Sequence, residues 1–352
     1  MFFIFYSYLA VYCLFWFGMK ILKKLKVKEH KMNEVILSIL IPTYNRDTYL
    51  EKLLEEIFSQ IINKKIEKKV EVIVSDNCST DQTKKVMEKF KCLNVNYKYW
   101  TNNKNLGAEG NFLKLIKEGN GIFCWILGDD EILKKNSLKK IVNILEINKD
   151  IGHLFISNEK KENLEIKFKN YQKFLKKINY KISFISANIF NKNYIDLKID
   201  YEKFIGSHLI QEYFYLQAIM KKNKNIFFRA HIFDIGHAEN VGGYKFFKVF
   251  GKNQNEIFNF FKAQGLSQKS INYINQKLLR EFFPFYILQY RKNIMKNKWE
   301  VEDIRKELEE IFSTKINYWL FCYPMIKFNL SKAELYFVFI RIFNKILRNL
   351  SL

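Results

Sequence analysis

Val35 to Ile41 is a nearly unbroken aliphatic run, followed after a polar turn by Leu50, Leu53, Leu54, Ile57, Phe58 and Ile61 at helical spacing within Thr48 to Ile62. A strand that is apolar on both faces needs cover on both, which points to a parallel sheet flanked by helices. A second unit follows. Val70 to Ser75 reads as a strand and Asp81 to Phe90 as a helix, entered through the capping types Ser79, Thr80 and Asp81. Then come a strand at Val95 to Trp100, a loop rich in Asn and Gly, a helix at Gly110 to Glu118, and the apolar strand Ile122 to Leu127. Strands alternating with helices predict an α/β fold whose ligands sit beyond the carboxyl ends of the strands. Chemistry is therefore expected after each strand.

The rest of the chain is less regular. Short strands are expected at Leu154 to Ser157 and Phe184 to Ile189, and a helix at Ser207 to Met220. Beyond Gly243 strand signals fade and a helical tail is expected. Two stretches in that tail, Tyr318 to Phe328 and Ala333 to Leu350, mix large apolar residues with Lys and Arg. A helix lying on a membrane surface has this pattern, and so does one packed against the catalytic domain.

Composition excludes several classes. With 352 residues, 48% hydrophobic and 27% charged, the chain has enough apolar surface to bury a core and is not disordered throughout. Cys13, Cys78, Cys92, Cys124 and Cys322 are scattered, so neither a zinc ribbon nor a disulfide framework is indicated. The net charge of +23 favours anionic partners, although codon bias toward Lys, Asn and Ile explains part of it. No nucleic-acid-binding motif accompanies the lysines, and no nucleic-acid partner is expected.

Met1 to Met19 lacks any charged side chain and reaches roughly 28 Å as a helix, close to the thickness of a bilayer core. Lys20, Lys23, Lys24, Lys26 and Lys28 follow it, which would hold the remainder on the cytoplasmic face of the inner membrane. Met32 as the true initiator is the alternative. The expected division is a membrane-anchor helix over 1–31, a catalytic domain over 32–240 and a helical, membrane-associated extension over 241–352.

The strand ends carry Pro42-Thr43-Tyr44-Asn45-Arg46, Asp76-Asn77-Cys78-Ser79-Thr80-Asp81 and Gly128-Asp129-Asp130-Glu131. Singly these are ordinary turns. In this order, an Asp at one strand end can hold a nucleotide while acids at another hold a divalent cation, since hard cations prefer carboxylate oxygens.

With Asn105-Leu106-Gly107 and Gly110-Asn111 added, these blocks resemble the family 2 glycosyltransferases of GT-A fold, over roughly Glu34 to Arg229. The resemblance implies an inverting transfer from a nucleotide-diphosphate sugar, supported by Mg²⁺ or Mn²⁺. It places Pro42, Thr43, Tyr44, Asn45, Asp76 and Asn77 around base and ribose. Asn105, Gly107, Asn111 and Asp129 fall near the sugar and diphosphate, and Asp130 and Glu131 at the metal. Gly128 departs from the pattern, standing where many relatives carry the first Asp. The family's basic carboxylate corresponds here to Glu212, with Gln211 replacing the acid before it, and His208, four residues earlier, is the other candidate base. The loop Ala238 to Tyr244 has the composition of a mobile lid or of a plain connecting turn. The expected acceptor is a glycan or glycolipid hydroxyl. A GT-A scaffold without catalysis is the alternative.

Overall fold

The computed structural model describes residues 34–236, 243–294 and 299–350. The expected anchor over 1–31 and most of the lid loop, residues 238–242, lie outside them. Among the described residues no helix is long and apolar enough to cross a membrane.

The first half follows the alternating pattern. Strand β1 (Leu37–Thr43), helix α1 (Asp47–Lys64), β2 (Val70–Asp76), α2 (Thr83–Lys89), β3 (Asn96–Thr101), α3 (Gly107–Glu118) and β4 (Phe123–Ile126) come in turn. A two-residue strand β5 (Ile132–Leu133) and helix α4 (Ser137–Ile147) follow, then β6 (His153–Ile156), β7 (Leu164–Phe168), α5 (Tyr171–Ile178), β8 (Asn188–Asn191), α6 (Ile210–Lys221), β9 (Asn225–Arg229) and β10 (Phe233–Asp234).

Eight strands form one sheet in the order β3-β2-β1-β4-β8-β6-β9-β7, and β5 pairs with β10 in a separate ribbon. β1, β2, β3 and β4 run parallel; β8 is antiparallel to both its neighbours, as β7 is to β9. The aliphatic strands divide between two layers. Leu40, Ile73 and Ile126 belong to one buried cluster, with α3, α6 and the C-terminal helices. Ile39, Ile41, Val72 and Val74 belong to the other, with α1, α2 and α4. Each such side chain contributes about 2 kcal/mol of burial, and the two-sided demand explains the unbroken run.

The strand expected at Phe184 to Ile189 is displaced. Residues 179–187 form short 3₁₀ turns, and the strand starts only at Asn188. The Asn188 amide donates back to the Ile182 and Phe184 carbonyls at 3.0 and 2.6 Å, which holds the turn against extension.

After residue 243 the described chain is helical, as expected: α7 (246–262), α8 (268–291), α9 (Ile304–Phe312), α10 (318–327) and α11 (Leu330–Leu350). α7, α8 and α10 each contain a π-turn, at Val249–Asn253, Leu278–Phe282 and Tyr318–Cys322. Two of these turns precede Pro284 and Pro324. A proline inside a helix withdraws the N–H due to the carbonyl four residues back. Those carbonyls find donors on α11: Asn344 Nδ2 reaches Arg280 O at 3.0 Å, and Tyr336 Oη reaches Leu320 O at 2.6 Å.

Candidate active site

The strand order runs 3-2-1 and then jumps to 4, so the crevice between the carboxyl ends of β1 and β4 is the switch point where α/β sheets bind ligands. Register aligns the strand ends. Thr43 lies opposite Asp76, and the Asn77 N–H donates to Thr43 O at 2.9 Å.

Beyond β1 and β2 the two loops are sewn together. Asn45 takes a left-handed φ of 51°, which Asn tolerates, and its N–H donates to Ser79 Oγ at 2.8 Å. Its side-chain oxygen accepts the Thr80 N–H at 2.8 Å, and Asp81 Oδ2 accepts the Asp47 N–H at 3.1 Å. Tyr44 remains 44% exposed, leaving a ring available to a ligand.

Asp76 is 1% exposed. Its Oδ1 accepts the Ser79 N–H at 3.0 Å, while Oδ2, equally buried, makes no hydrogen bond. Asp129 shows the same asymmetry across the crevice: Oδ1 meets Arg46 Nη1 at 2.7 Å and Oδ2 is unpartnered. Burial pushes the Asp129 carboxyl above the usual range, and Arg46 pulls it partly back. Glu131 is pushed up to about 7, mainly by burial, with the charges of Asp130 and Asp129 adding to it. A buried polar atom left unpaired costs roughly 1–3 kcal/mol, so two such carboxylate oxygens, at the ends of the strands that flank β1, are each able to accept from a donor group.

Asp130, next in the chain after Asp129, is half-buried. Its main chain is packed so closely on Gly236 that a Cβ there would lie 1.9 Å from Asp130 O. Among the described residues no group of three or more His, Cys, Asp or Glu is arranged to hold a metal alone. Mg²⁺ commonly rests on one or two carboxylates plus substrate phosphates, and Asp130, with the unpartnered Oε2 of Glu131 nearby, fits that smaller donor set.

The Asn-rich loop joins the site by an internal network. Asn77 donates to Asn105 Oδ1 at 2.7 Å and to Gly107 O at 3.1 Å, and accepts the Leu106 N–H at 2.9 Å. Gly107 adopts φ 70° at the mouth of α3, a conformation suited to glycine. Asn111, 1% exposed, turns inward to Ser75, accepting from its hydroxyl at 2.5 Å and donating to its carbonyl at 2.9 Å. Asn111 and Asn77 thus have partners within the fold.

The two candidate bases do not share a helical face. His208 has φ 58°, precedes the start of α6 at Ile210, is exposed, and stacks on Tyr244 with ring centroids 5.5 Å apart. The helix does not begin early enough to align it with Glu212. Glu212 is fully buried, accepts from Gln254 Nε2 at 2.9 Å through Oε1, and is pushed up to about 8 by burial.

Sequence reasoning passed over three residues. Arg46 spans the crevice to Asp129. Glu109 accepts from Gly206 N, Ser207 Oγ and Ile210 N at 2.6, 2.8 and 3.1 Å, capping α6 from a distant helix. The Ser186 hydroxyl accepts the Gly128 N–H at 3.2 Å, which ties the start of the acidic triplet to the turn before β8. Arg46 alone had a local signal, its place within the first strand-end motif.

Residues 38–199 match the family described as Glycosyl transferase family 2. Over 119 residues, 33% of this chain and 34% of the relative, the sequence is 40% identical to abequosyltransferase RfbV of Salmonella typhimurium. It is 30% identical over 120 residues, 34% of this chain and 37% of the relative, to the GalNAc(5)-diNAcBac-PP-undecaprenol beta-1,3-glucosyltransferase of Campylobacter jejuni. The matches span about a third of these relatives' length. The fold resembles the mannosyltransferase PcManGT of Pyrobaculum calidifontis, in complex with GDP-Man and Mn²⁺, with a TM-score of 0.52 at 12% identity, covering 89% of this chain and 88% of that one. The architecture is a GT-A-like α/β fold with a mostly parallel sheet between helices, and residues 38–199 are a glycosyl transferase family 2 domain.

Proposed function

We propose that the chain is an inverting glycosyltransferase that moves a sugar from a nucleotide diphosphate to an acceptor hydroxyl on a lipid-linked or surface saccharide. The observation that carries this reading is the pair of buried, unpartnered carboxylate oxygens, Asp76 Oδ2 and Asp129 Oδ2, on either side of the switch-point crevice. The names of the relatives agree with it, one an abequosyltransferase and one acting on an undecaprenol-linked glycan.

In this reading Asp76 Oδ2 accepts a hydrogen bond from the base or ribose, and Tyr44 lies against the nucleoside. Arg46 fixes Asp129, and with it the orientation of the whole turn that presents Asp130. Asp130, with Glu131, would hold Mg²⁺ or Mn²⁺. Such an ion supplies charge neutralisation on the departing diphosphate. An in-line attack needs a base within about 3 Å of the acceptor hydroxyl. His208, which is exposed, and Glu212, raised toward neutrality, are the two candidates for that task.

A second reading, a GT-A scaffold without catalysis, is favoured by the burial of Glu212 and the Gln at 211. Sugar release or transfer from nucleotide sugars with Mn²⁺, compared with Asp130→Ala, separates the two. A drop of about a hundredfold in the variant supports the transferase. Equal rates in both proteins remove Asp130 from the metal site. If no donor is turned over, and none shifts the melting temperature with or without Mn²⁺, the scaffold reading stands.

A further inference from the structure

Helix α11 shows two faces, and only one is accounted for by the fold. Inward, Ala333, Ile340 and Asn344 are buried, and Tyr336 and Asn344 hold the carbonyls freed by the prolines. Outward, Leu335 is 74% exposed, Val338 50%, Phe339 55%, Ile342 55% and Ile346 51%. At about 100° per residue these five fall on one stripe, with Arg341 and Lys345 along one margin and Lys332 along the other. The patch continues through Phe328, whose ring contacts Tyr336, to Leu320 and Trp319, all 39–49% exposed. Monomeric soluble proteins seldom leave so extended an apolar surface uncovered.

We propose that this stripe docks on an anionic lipid surface, with α11 lying in the plane of the interface. The basic margins choose the occupant. Lys332, Arg341 and Lys345 are exposed and form none of the ion pairs found among the described residues, whereas Glu334, the one acid of the helix, is already paired with Lys292. Anionic head groups complement such margins, while a second copy of the same helix would set basic margin against basic margin. The helix lies on the bilayer rather than crossing it. Docking of this kind would hold the chain at the surface that carries a lipid-borne acceptor and so deepens the functional reading, on which that consequence rests, but the docking itself does not depend on catalysis.

The test uses the full chain with photoreactive benzoylphenylalanine in place of Ile342, irradiated on vesicles of phosphatidylglycerol and phosphatidylcholine. Lipid adducts on the probe are expected, with a yield about tenfold lower on phosphatidylcholine alone. With the probe moved to Leu335, Phe339→Glu together with Ile346→Glu is expected to abolish the adducts while the melting temperature and its shift by nucleotide diphosphate stay unchanged. Cross-links mainly to a second copy, or to residues 1–33 of the same chain, overturn the proposal. So does vesicle-bound protein that yields no lipid adduct. Because nucleotide binding is read in the same variants, failure of the docking and failure of the donor site are told apart.

Discussion

Arg46 Nη1 lies 2.7 Å from Asp129 Oδ1, an ion pair that joins the loops after β1 and β4 and whose acid is 3% and whose base is 23% exposed in the side chain. Removing the base strands a buried carboxylate. Arg46→Met is expected to cost about 3 kcal/mol in chemical denaturation, Asp129→Asn less, and the double variant less than their sum. Additive losses would show that the pair has no coupling.

Three buried groups with displaced titrations, His153, Glu212 and Glu131, shape the pH profile of stability. His153, fully buried and donating from Nε2 to Asn188 Oδ1 at 2.9 Å, is lowered by burial to about 3 from 6.5. The unfolded chain binds its proton first, so stability is present above pH 6.5 and falls toward pH 3. Glu212, raised from 4.5 to about 8, acts in the opposite sense: its contribution is complete below pH 4.5 and is lost as pH rises to 8. Each slope is about 1.4 kcal/mol per pH unit, and between 4.5 and 6.5 those of His153 and Glu212 cancel, leaving the loss from Glu131, which is raised from 4.5 to about 7 and acts in the same sense as Glu212. Urea denaturation should find stability falling across that window, and Glu131→Gln should flatten it. Glu212→Gln is expected to remove the alkaline slope, and His153→Leu the acid one.

Gly236 is tested by adding one carbon. Gly236→Ala brings a methyl within 1.9 Å of Asp130 O, which must move. The predicted outcome is a fall in Mn²⁺-dependent stabilisation by nucleotide diphosphate larger than the fall in melting temperature explains. An unchanged shift would mean that Asp130 is not held in place from this side.

Glu109→Ala removes three hydrogen bonds to the segment 206–210. Hydrogen exchange there should accelerate, with a loss of about 3 kcal/mol, and Glu109→Gln should recover part of it. If exchange at Ile210 is unaffected, the cap is dispensable.

Where the chain repeats a period, its sequence announced the fold. The aliphatic run before Pro42 and the helical spacing from Leu50 to Ile61 need only local physics, and the strand-end motifs follow from parallel topology. Other features are set by partners far along the chain. Arg46 and Asp129 are 83 residues apart, and Glu109 and Ile210 are 101 apart. No local pattern reveals such a pair. The helix expected from Ser207 starts at Ile210 for that reason, since its cap is borrowed from α3. The two π-turns before Pro284 and Pro324 are hidden likewise, because each proline alone reads as a break, and the donors that rescue the freed carbonyls lie on α11.

The two prolines also fix how the last helix can sit. Rolling α11 about its axis to tuck Leu335 and Ile342 inward would swing Asn344 and Tyr336 away and leave the oxygens of Arg280 and Leu320 bare. That penalty acts as a ratchet against concealment: the greasy side of the cylinder stays turned toward its surroundings whether or not anything is there to meet it.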